Sequence, residues 1–284
     1  MNMQVPESLT IISPHLDDAV FSCGALIAAC RNPLVVTVFA GIPPDGVDAP
    51  DWDRAAGFRT AQASVHARRQ EDARALAMLA AEPVWLDFLD SQYGKRYDPV
   101  DIAVRLGRLL AMQPHGTIVA PLGLFHSDHV LVNAACMLVR EAVHADAPAG
   151  AAAQAAAQSA AQAAAQAAAH SAPLAPHKAP PDDAEGEHPV AAPPSVQWLF
   201  YEDAIYRRMP GMIQNRLMAW WQEGLLAAPV TLPIAPFQTQ KMRAIEAYES
   251  QLPLFNAEQL ADLGAPERYW SLGTPVVATA ASSR

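Results

Sequence analysis

Residues 9–30 read LTIISPHLDDAVFSCGALIAAC and join a short apolar run to a longer one through a polar turn. The run from Leu9 to Ser13 is typical of a buried β-strand. From Ala19 to Cys30, apolar residues recur every three or four positions, as on one face of an α-helix. The stretch therefore predicts a strand followed directly by a helix.

The same alternation continues along the chain. Further strands are predicted at Leu34 to Phe39, Val84 to Phe88, Thr117 to Pro121 and Val196 to Tyr201. Further helices are predicted at Val65 to Ala80, Val100 to Met112, Val130 to Val143, Met212 to Leu226 and Gln240 to Gln251. Apolar strands joined by crossover helices form parallel sheets that are covered on both sides. We therefore expect an α/β fold with a Rossmann-like, mostly parallel sheet and helices on both faces.

One long segment interrupts this pattern. Residues 145–194 contain the repeats AAAQAAAQSAAQAAAQAAAH, followed by a proline-rich acidic stretch. A structureless connection well beyond about 15 residues is seldom part of a compact domain. We predict a low-complexity, disordered insertion within a single domain that spans residues 1–284. A passive loop and a lid or partner-binding arm both remain open as its role.

Composition limits the classes of function. The chain has 29 acidic and 19 basic residues, so its formal charge of −10 repels nucleic acid and anionic lipid. Its three cysteines form no CxxC pair, which fits a reducing compartment. No leader segment or membrane helix is visible, so a cytoplasmic protein without nucleic-acid or membrane partners is expected. The oligomeric state is not predicted.

Polar, metal-competent side chains follow the first predicted strand. His15, Asp17 and Asp18 lie where that strand gives way to a helix. A helix start needs one capping aspartate, so two beside a histidine exceed the structural requirement. His15 and Asp18 are three positions apart, close enough to bind one ion together.

A second polar cluster, His126-Ser127-Asp128-His129, follows the strand TIVAPLG and opens another helix. The carboxyl ends of parallel strands meet at one edge of a sheet, where ligands bind in such folds. One of these histidines can therefore complete a three-ligand site with His15 and Asp18. Three protein ligands and an open fourth position are characteristic of catalytic zinc.

Together, PHLDD and HSDH resemble the metal motifs HPDD and HPDH of the PIG-L (LmbE-like) family of zinc-dependent N-acetylglucosaminyl deacetylases. The chain is also similar to that family at Arg68 to Glu71, at Tyr201-Glu202-Asp203 and at KMRAIEAYESQ (residues 241–251). It departs from the family pattern at three places. Leu16 replaces the usual proline, Ala19 replaces a frequent acidic residue, and Leu124 and Phe125 stand where many members have a tyrosine.

The resemblance implies that His15, Asp18 and His129 bind one Zn²⁺ per chain. It also implies that Asp17 is the general base and that a protonated His126 stabilises the transition state. A His₂Asp site would accept other divalent metals. Asp128 is expected either to orient His126 or to cap its helix. Four further residues are expected to contact substrate, although Arg68 could instead form a solvated pair with Glu71: Arg68, Tyr201, Glu202 and Asp203.

The expected activity is hydrolysis of an N-acetyl or other N-acyl group from an aminosugar-containing small molecule or glycoconjugate. Two alternatives remain open. One is an amidase that acts on a larger thiol or glycopeptide conjugate, and the other is a carbohydrate-binding protein without turnover. A nucleotide-binding oxidoreductase is disfavoured because no GxGxxG follows the first strand.

Overall fold

A seven-stranded sheet organises the protein. The computed structural model describes residues 1–112, 116–146 and 196–274. The strands are β1 (Leu9–Ser13), β2 (Leu34–Thr37), β3 (Glu82–Trp85), β4 (Thr117–Pro121), β5 (Gln197–Tyr201), β6 (Leu226–Val230) and β7 (Tyr269–Gly273). Their order across the sheet is β3-β2-β1-β4-β5-β7-β6. The five predicted strands are all present, with small shifts at their ends.

The first five strands run parallel, and β7 pairs with β5 in the antiparallel direction, as β6 does with β7. This mixed sheet confirms the predicted α/β class. The two strands that extend it at the β5 edge were not predicted. The strands β1 and β2 are fully buried, which explains why they are apolar at almost every position.

Eight α-helices are present in the described ranges. They are α1 (Asp18–Ala29), α2 (Asp51–Ala55), α3 (Ala61–Met78), α4 (Pro99–Ala111), α5 (Ser127–Asp146), α6 (Met212–Gln222), α7 (Gln238–Ile245) and α8 (Ala257–Leu263). No helix in the described part of the chain is long and apolar enough to cross a bilayer.

Two helices end earlier than predicted. The helix from Met212 was expected to reach Leu226, but it stops at Gln222, because Gly224 turns the chain with φ of 79° and Leu226 starts a strand. The helix expected to reach Gln251 ends at Ile245. Beyond it, the Glu71 carboxylate accepts the backbone N–H of Ser250, which gives that donor a partner outside the helix.

The chain divides into two units, one formed by residues Met1–Arg140 with Ser195–Arg284 and the other by Glu141–Pro194. Helix α5 continues to Asp146, so the first two residues of the predicted insertion are helical. The remainder of the predicted disordered insertion, residues 147–194, lies outside the described residues and stays a prediction.

The pairing of the central strands determines where the polar clusters emerge. Strand β1 lies beside β4, with Ile11 opposite Val119, and β4 lies beside β5, with Pro121 opposite Tyr201. Because all three strands are parallel, the turns that follow them leave the sheet at the same edge.

Candidate metal centre

The turn between β1 and α1 is fixed by its own hydrogen bonds. The Ser13 hydroxyl donates to the carbonyl of His15 (2.7 Å) and accepts the backbone N–H of Ala19 (3.0 Å). The N–H of His15 donates to Oδ2 of Asp18 (2.9 Å). Asp17 occupies the N-cap position of α1, but its side chain makes no capping hydrogen bond. Its carboxylate is therefore available for a role other than capping.

The turn between β4 and α5 carries the second cluster. Gly123 has φ of 77°, and a Cβ atom there would lie only 2.7 Å from Cβ of Asn133. Phe125 also adopts a left-handed backbone, with φ of 59°, which is costly for a residue with a bulky side chain. This tight path places His129 in the first turn of α5, almost completely buried.

Three ligand atoms converge between the two turns. Oδ2 of Asp18 lies 3.2 Å from Nδ1 of His15 and 3.2 Å from Nε2 of His129. One ligand atom from each of the three side chains lies within 4.8 Å of the other two. Two imidazole nitrogens and one carboxylate oxygen at such separations could hold a divalent cation and leave coordination positions open.

Each of these histidines has a second carboxylate at its other ring nitrogen. Nε2 of His15 lies 3.1 Å from Oδ2 of Asp128, and Nδ1 of His129 lies 2.6 Å from Oδ1 of Asp203. When an outer nitrogen donates its proton to a carboxylate, the inner nitrogen presents a lone pair. Metal-binding histidines are oriented in this way in many proteins. The donor set therefore fits a metal ion.

The charge balance favours a cation at this place. Burial lowers the pKa of His129, but Asp18 and Asp203 outweigh it and raise that pKa to about 9. The pKa of His15 is also raised despite burial, chiefly by Asp90 and by its bonds to Asp128 and Asp18. Surplus negative charge holds protons on both rings, and a divalent cation can take their place.

A second group of three, His15, His126 and Asp128, also has ligand atoms within 4.8 Å of one another. Oδ2 of Asp128 already accepts the backbone N–H of Ser91 (3.1 Å), and Nδ1 of His126 accepts the N–H of Asp128 (3.2 Å). In the first group Oδ2 of Asp18 also accepts a backbone N–H, that of His15, but both inner ring nitrogens are free of backbone donors. The group of His15, Asp18 and His129 is therefore the better ligand set.

Asp17 lies beside these three residues and faces Arg68, whose Nη2 is 3.6 Å from Oδ2 of Asp17. Burial raises the pKa of Asp17 to about 6, although Arg68 acts to lower it. A pKa close to neutrality is suited to exchanging a proton with water.

The two histidine-cluster residues outside the ligand set differ from expectation. Asp128 was expected either to orient His126 or to cap its helix; its carboxylate faces His15, and only its backbone contacts His126, so the first of these roles is not seen. Burial and the neighbouring histidines lower the pKa of His126, so its neutral form is favoured at pH 7 over the expected protonated form. Because Nδ1 accepts a hydrogen bond, the proton of neutral His126 lies on Nε2.

A cavity of about 400 Å³ opens onto the site. It is lined by six residues singled out from the sequence, namely His15, Asp17, Asp18, Arg68, His126 and His129. Arg68 does not form the alternative solvated pair with Glu71, since it is buried against Asp17 while Glu71 accepts hydrogen bonds from Ser250.

Three further residues on the cavity wall were missed. Asp90 follows β3, with a carboxylate oxygen 3.7 Å from Nε2 of His15, while Trp52 comes from the short helix α2 and Tyr206 from the loop after β5. Asp90 could have been found by asking which polar residue follows each parallel strand. Trp52, in a helix of five residues, and Tyr206, in a loop, carry no comparable signal.

Tyr201, Glu202 and Asp203 do not line this cavity, which corrects their predicted contact with substrate. Tyr201 is fully buried and donates its hydroxyl to the carbonyl of Ile12 (3.2 Å). Glu202 accepts the indole N–H of Trp270 (3.0 Å). Asp203 is committed to His129 and to the backbone N–H of Leu124. The residues at the end of β5 therefore hold the metal-binding side chains in place without facing the cavity.

Residues 10–140 match the family model PIG-L, GlcNAc-PI de-N-acetylase. This part of the chain is thus similar to the PIG-L family. The PIG-L region contains both polar turns and all three residues of the better ligand set, and the resemblance inferred from PHLDD and HSDH is confirmed. Comparison with curated proteins gives no significant match.

Several solved structures share the fold. The zinc-inhibited form of teicoplanin deacetylase Orf2 aligns with a TM-score of 0.63 and 20% identity, over 95% of this chain and 100% of that chain. The A40926 pseudoaglycone deacetylase Dbv21 gives 0.59 and 20%, over 94% and 97%. GalB, the 4-carboxy-2-hydroxymuconate hydratase of Pseudomonas putida KT2440, gives 0.51 and 17%, over 95% and 98%. These likenesses show the fold alone, which serves hydratases as well as deacetylases.

Proposed function

We propose that the protein is a metal-dependent hydrolase that removes an N-acetyl, or another N-acyl, group from an aminosugar-containing molecule. One observation carries the proposal. A ligand set of two carboxylate-backed histidines and an aspartate lies beside Asp17, a buried carboxylate that is not needed as a ligand or a cap. The similarity of residues 10–140 to the PIG-L family supports the same chemistry.

His15, Asp18 and His129 would hold the ion, which we propose to be zinc, one per chain. Manganese, iron and cobalt also accept a His₂Asp set, so donor chemistry favours zinc without requiring it. When bound, such an ion supplies Lewis acidity, which makes water a better nucleophile and polarises an amide carbonyl.

The chain's own residues then account for the proton movements. Asp17 takes a proton from the attacking water as the new bond between oxygen and the amide carbon forms. Nε2–H of His126 donates a hydrogen bond to the carbonyl oxygen as negative charge builds on it. The carbon–nitrogen bond then breaks, and the proton on Asp17 passes to the departing amine. The products are a carboxylate, such as acetate, and the free amine.

The cavity wall fits a sugar. Trp52 and Phe255 line the cavity with their ring centroids 6.0 Å apart, and the Trp52 indole N–H donates to Oε1 of Gln251 (2.9 Å), which fixes its orientation. Flat aromatic faces stack against the apolar face of a pyranose ring. Arg68 lines the cavity beside Asp17, and its guanidinium can donate to a sugar hydroxyl or to the acyl group. We propose an N-acetylglucosamine-type unit, either free or within a glycoconjugate.

The decisive experiment measures acetate release from a panel of N-acetylglucosamine derivatives, together with metal content by elemental analysis. Wild type is expected to carry one equivalent of metal and to release acetate. Asp17→Asn should retain the metal and lose at least about 10²-fold in kcat, as expected for loss of a general base. His129→Ala should lose both metal and activity. Asp101→Asn, an exposed aspartate on α4, is the matched control and should behave as wild type.

If the protein instead binds carbohydrate without turnover, the expected results are the opposite. It predicts that no derivative is hydrolysed and that Asp17→Asn binds N-acetylated sugars as tightly as wild type. Mass spectrometry of the products separates the remaining alternative, an amidase on a larger conjugate, because the fragment released would be larger than acetate. Metal retained without His129 would refute the ligand set itself.

A further inference from the structure

Tyr206 lies on the cavity wall beside the histidines of the metal-binding turn. Its ring centroid is 5.2 Å from that of His129 in an edge-on arrangement and 6.5 Å from that of His126 in a stacked one. The exposed ring of Phe125 packs on it at 5.4 Å. Three aromatic neighbours therefore fix the position of the Tyr206 ring beside the residues proposed to do the chemistry.

The hydroxyl of Tyr206 differs from those of the buried tyrosines. Tyr201 donates to the carbonyl of Ile12, Tyr248 to Asp72, and Tyr269 to Glu267. No hydrogen bond joins the Tyr206 hydroxyl to any other described residue. A half-buried phenol usually has a hydrogen-bond partner. Here the partner must be solvent or a molecule in the cavity.

We infer that Tyr206 is a catalytic residue, whose hydroxyl donates a hydrogen bond to the substrate's acyl oxygen while that oxygen carries negative charge. The inference rests on the proposed function and adds a second donor to His126. It also accounts for a departure in the sequence. Leu124 and Phe125 lack the hydroxyl expected just before the HxDH motif, and Tyr206 presents one from the loop after β5, with its ring against Phe125.

The step requires no proton transfer from Tyr206. As water adds to the carbonyl carbon, the electron pair of the C=O bond moves onto oxygen, and the phenol hydrogen bond to that oxygen strengthens. As the carbon–nitrogen bond breaks, the pair returns and the hydrogen bond weakens. The phenol keeps its proton throughout, because its pKa is ordinarily near 10. Stabilisation of this kind acts on the transition state more than on the bound substrate.

The test is Tyr206→Phe in the full-length, metal-loaded protein, which removes one oxygen atom and keeps the ring packing. We expect kcat for acetate release to fall about 10²-fold, as when one oxyanion donor is removed elsewhere, with KM changed less than about threefold. Metal content and Tm should stay as in wild type, and so should the two apparent pKa values read from the dependence of kcat on pH. Tyr269→Phe also removes one tyrosine hydroxyl, but outside the cavity, and should leave kcat unchanged.

The inference fails if Tyr206→Phe has the kcat of wild type, if its loss appears only in KM, or if the loss follows reduced metal content. It also fails if a limb of the pH profile disappears, since Tyr206 would then be exchanging a proton. If wild type releases no carboxylate from any N-acyl substrate, the proposed function fails and the inference fails with it. An active wild type with an equally active Tyr206→Phe overturns the inference alone.

Discussion

Nδ1 of His129 lies 2.6 Å from Oδ1 of Asp203, and each side chain is only 1% exposed. The bond joins a predicted metal ligand from the turn after β4 to a carboxylate that follows β5. The other oxygen of Asp203 accepts the backbone N–H of Leu124 at 3.0 Å, so one carboxylate supports both the ligand and the loop that leads to it.

Asp203→Asn should therefore weaken metal binding without removing a ligand. The amide cannot supply the negative charge that favours Nδ1–H, and its NH₂ group would face either His129 or the N–H of Leu124. We expect the dissociation constant for Zn²⁺ to rise about 10- to 100-fold, measured by competition with a chelating dye. The neighbouring Glu202→Gln, which does not touch a ligand, is the control. An unchanged constant for Asp203→Asn would contradict this support role.

Gly123→Ala tests whether the β4–α5 turn needs glycine for more than its backbone angle. A residue with a side chain at positive φ costs about 1–2 kcal/mol, and at Gly123 the new methyl would also meet Cβ of Asn133 at 2.7 Å. Gly46→Ala is the matched control, because its φ is 80° but nothing lies within 4 Å of the new atom. Urea unfolding should show a larger loss for Gly123→Ala than for Gly46→Ala. Equal losses would mean that the turn relaxes without cost.

Asp72 should make stability depend on pH. Burial raises its pKa to about 7, although hydrogen bonds from Trp85 and Tyr248 act to lower it. A carboxyl with a raised folded-state pKa binds its proton more tightly when folded. Its contribution to stability is thus complete below its unfolded pKa near 3.8 and is lost as pH rises through 7.

Between pH 5 and pH 8, wild type should lose on the order of 3 kcal/mol of unfolding free energy through Asp72. Asp72→Asn has no proton to gain or lose, so its urea unfolding should lack this part of the pH dependence, even though its NH₂ group cannot accept the hydrogen bond that the replaced oxygen accepts from Trp85 or Tyr248. The same decline in both proteins would show that Asp72 does not hold a proton in the fold at neutral pH.

Trp52→Ala should affect substrate binding rather than chemistry. Trp52 lines the cavity, and its indole N–H is held by Gln251. Loss of an aromatic stacking contact of about 1 kcal/mol predicts a roughly fivefold rise in KM with kcat little changed. Trp221→Ala removes another exposed tryptophan, outside this cavity, and provides the comparison. A change in kcat alone would place Trp52 in the reaction rather than in binding.

The sequence predicts the parallel part of the sheet well because each strand carries a strong local signal. Residues 9–13 and 117–121 are rich in apolar and β-branched side chains, and a polar turn ends each run. Strands β6 and β7 were missed for the opposite reason. Leu226–Val230 reads LAAPV, and alanine and proline are depleted in strands, so the segment has neither the β-branched run nor the alternation that identifies a strand.

The residues of the candidate site also fall into those that the sequence predicts and those that it does not. The side chains that lie within a short motif, such as His15, Asp17 and Asp18, could be singled out because their density is unusual for a strand end. The role of Asp203 could not be predicted, since its partner His129 is 74 residues away along the chain and no pattern in either segment points to the other. The role of Tyr206 likewise could not be predicted, because it depends on the ring contacts that form only in the folded protein.

The pairing of β1 with β4 has a consequence for folding. The atoms that would grip an ion come from turns far apart in sequence, and even the supporting bond from His15 to Asp128 spans 113 residues. An ion there would act as a cross-link between the first and fourth strands. Its binding energy would add to the free energy of unfolding, because an unfolded chain cannot gather the same ligands. The concentration of available metal would then affect the stability of the protein, and with it the lifetime of the protein in the cell, as well as its activity.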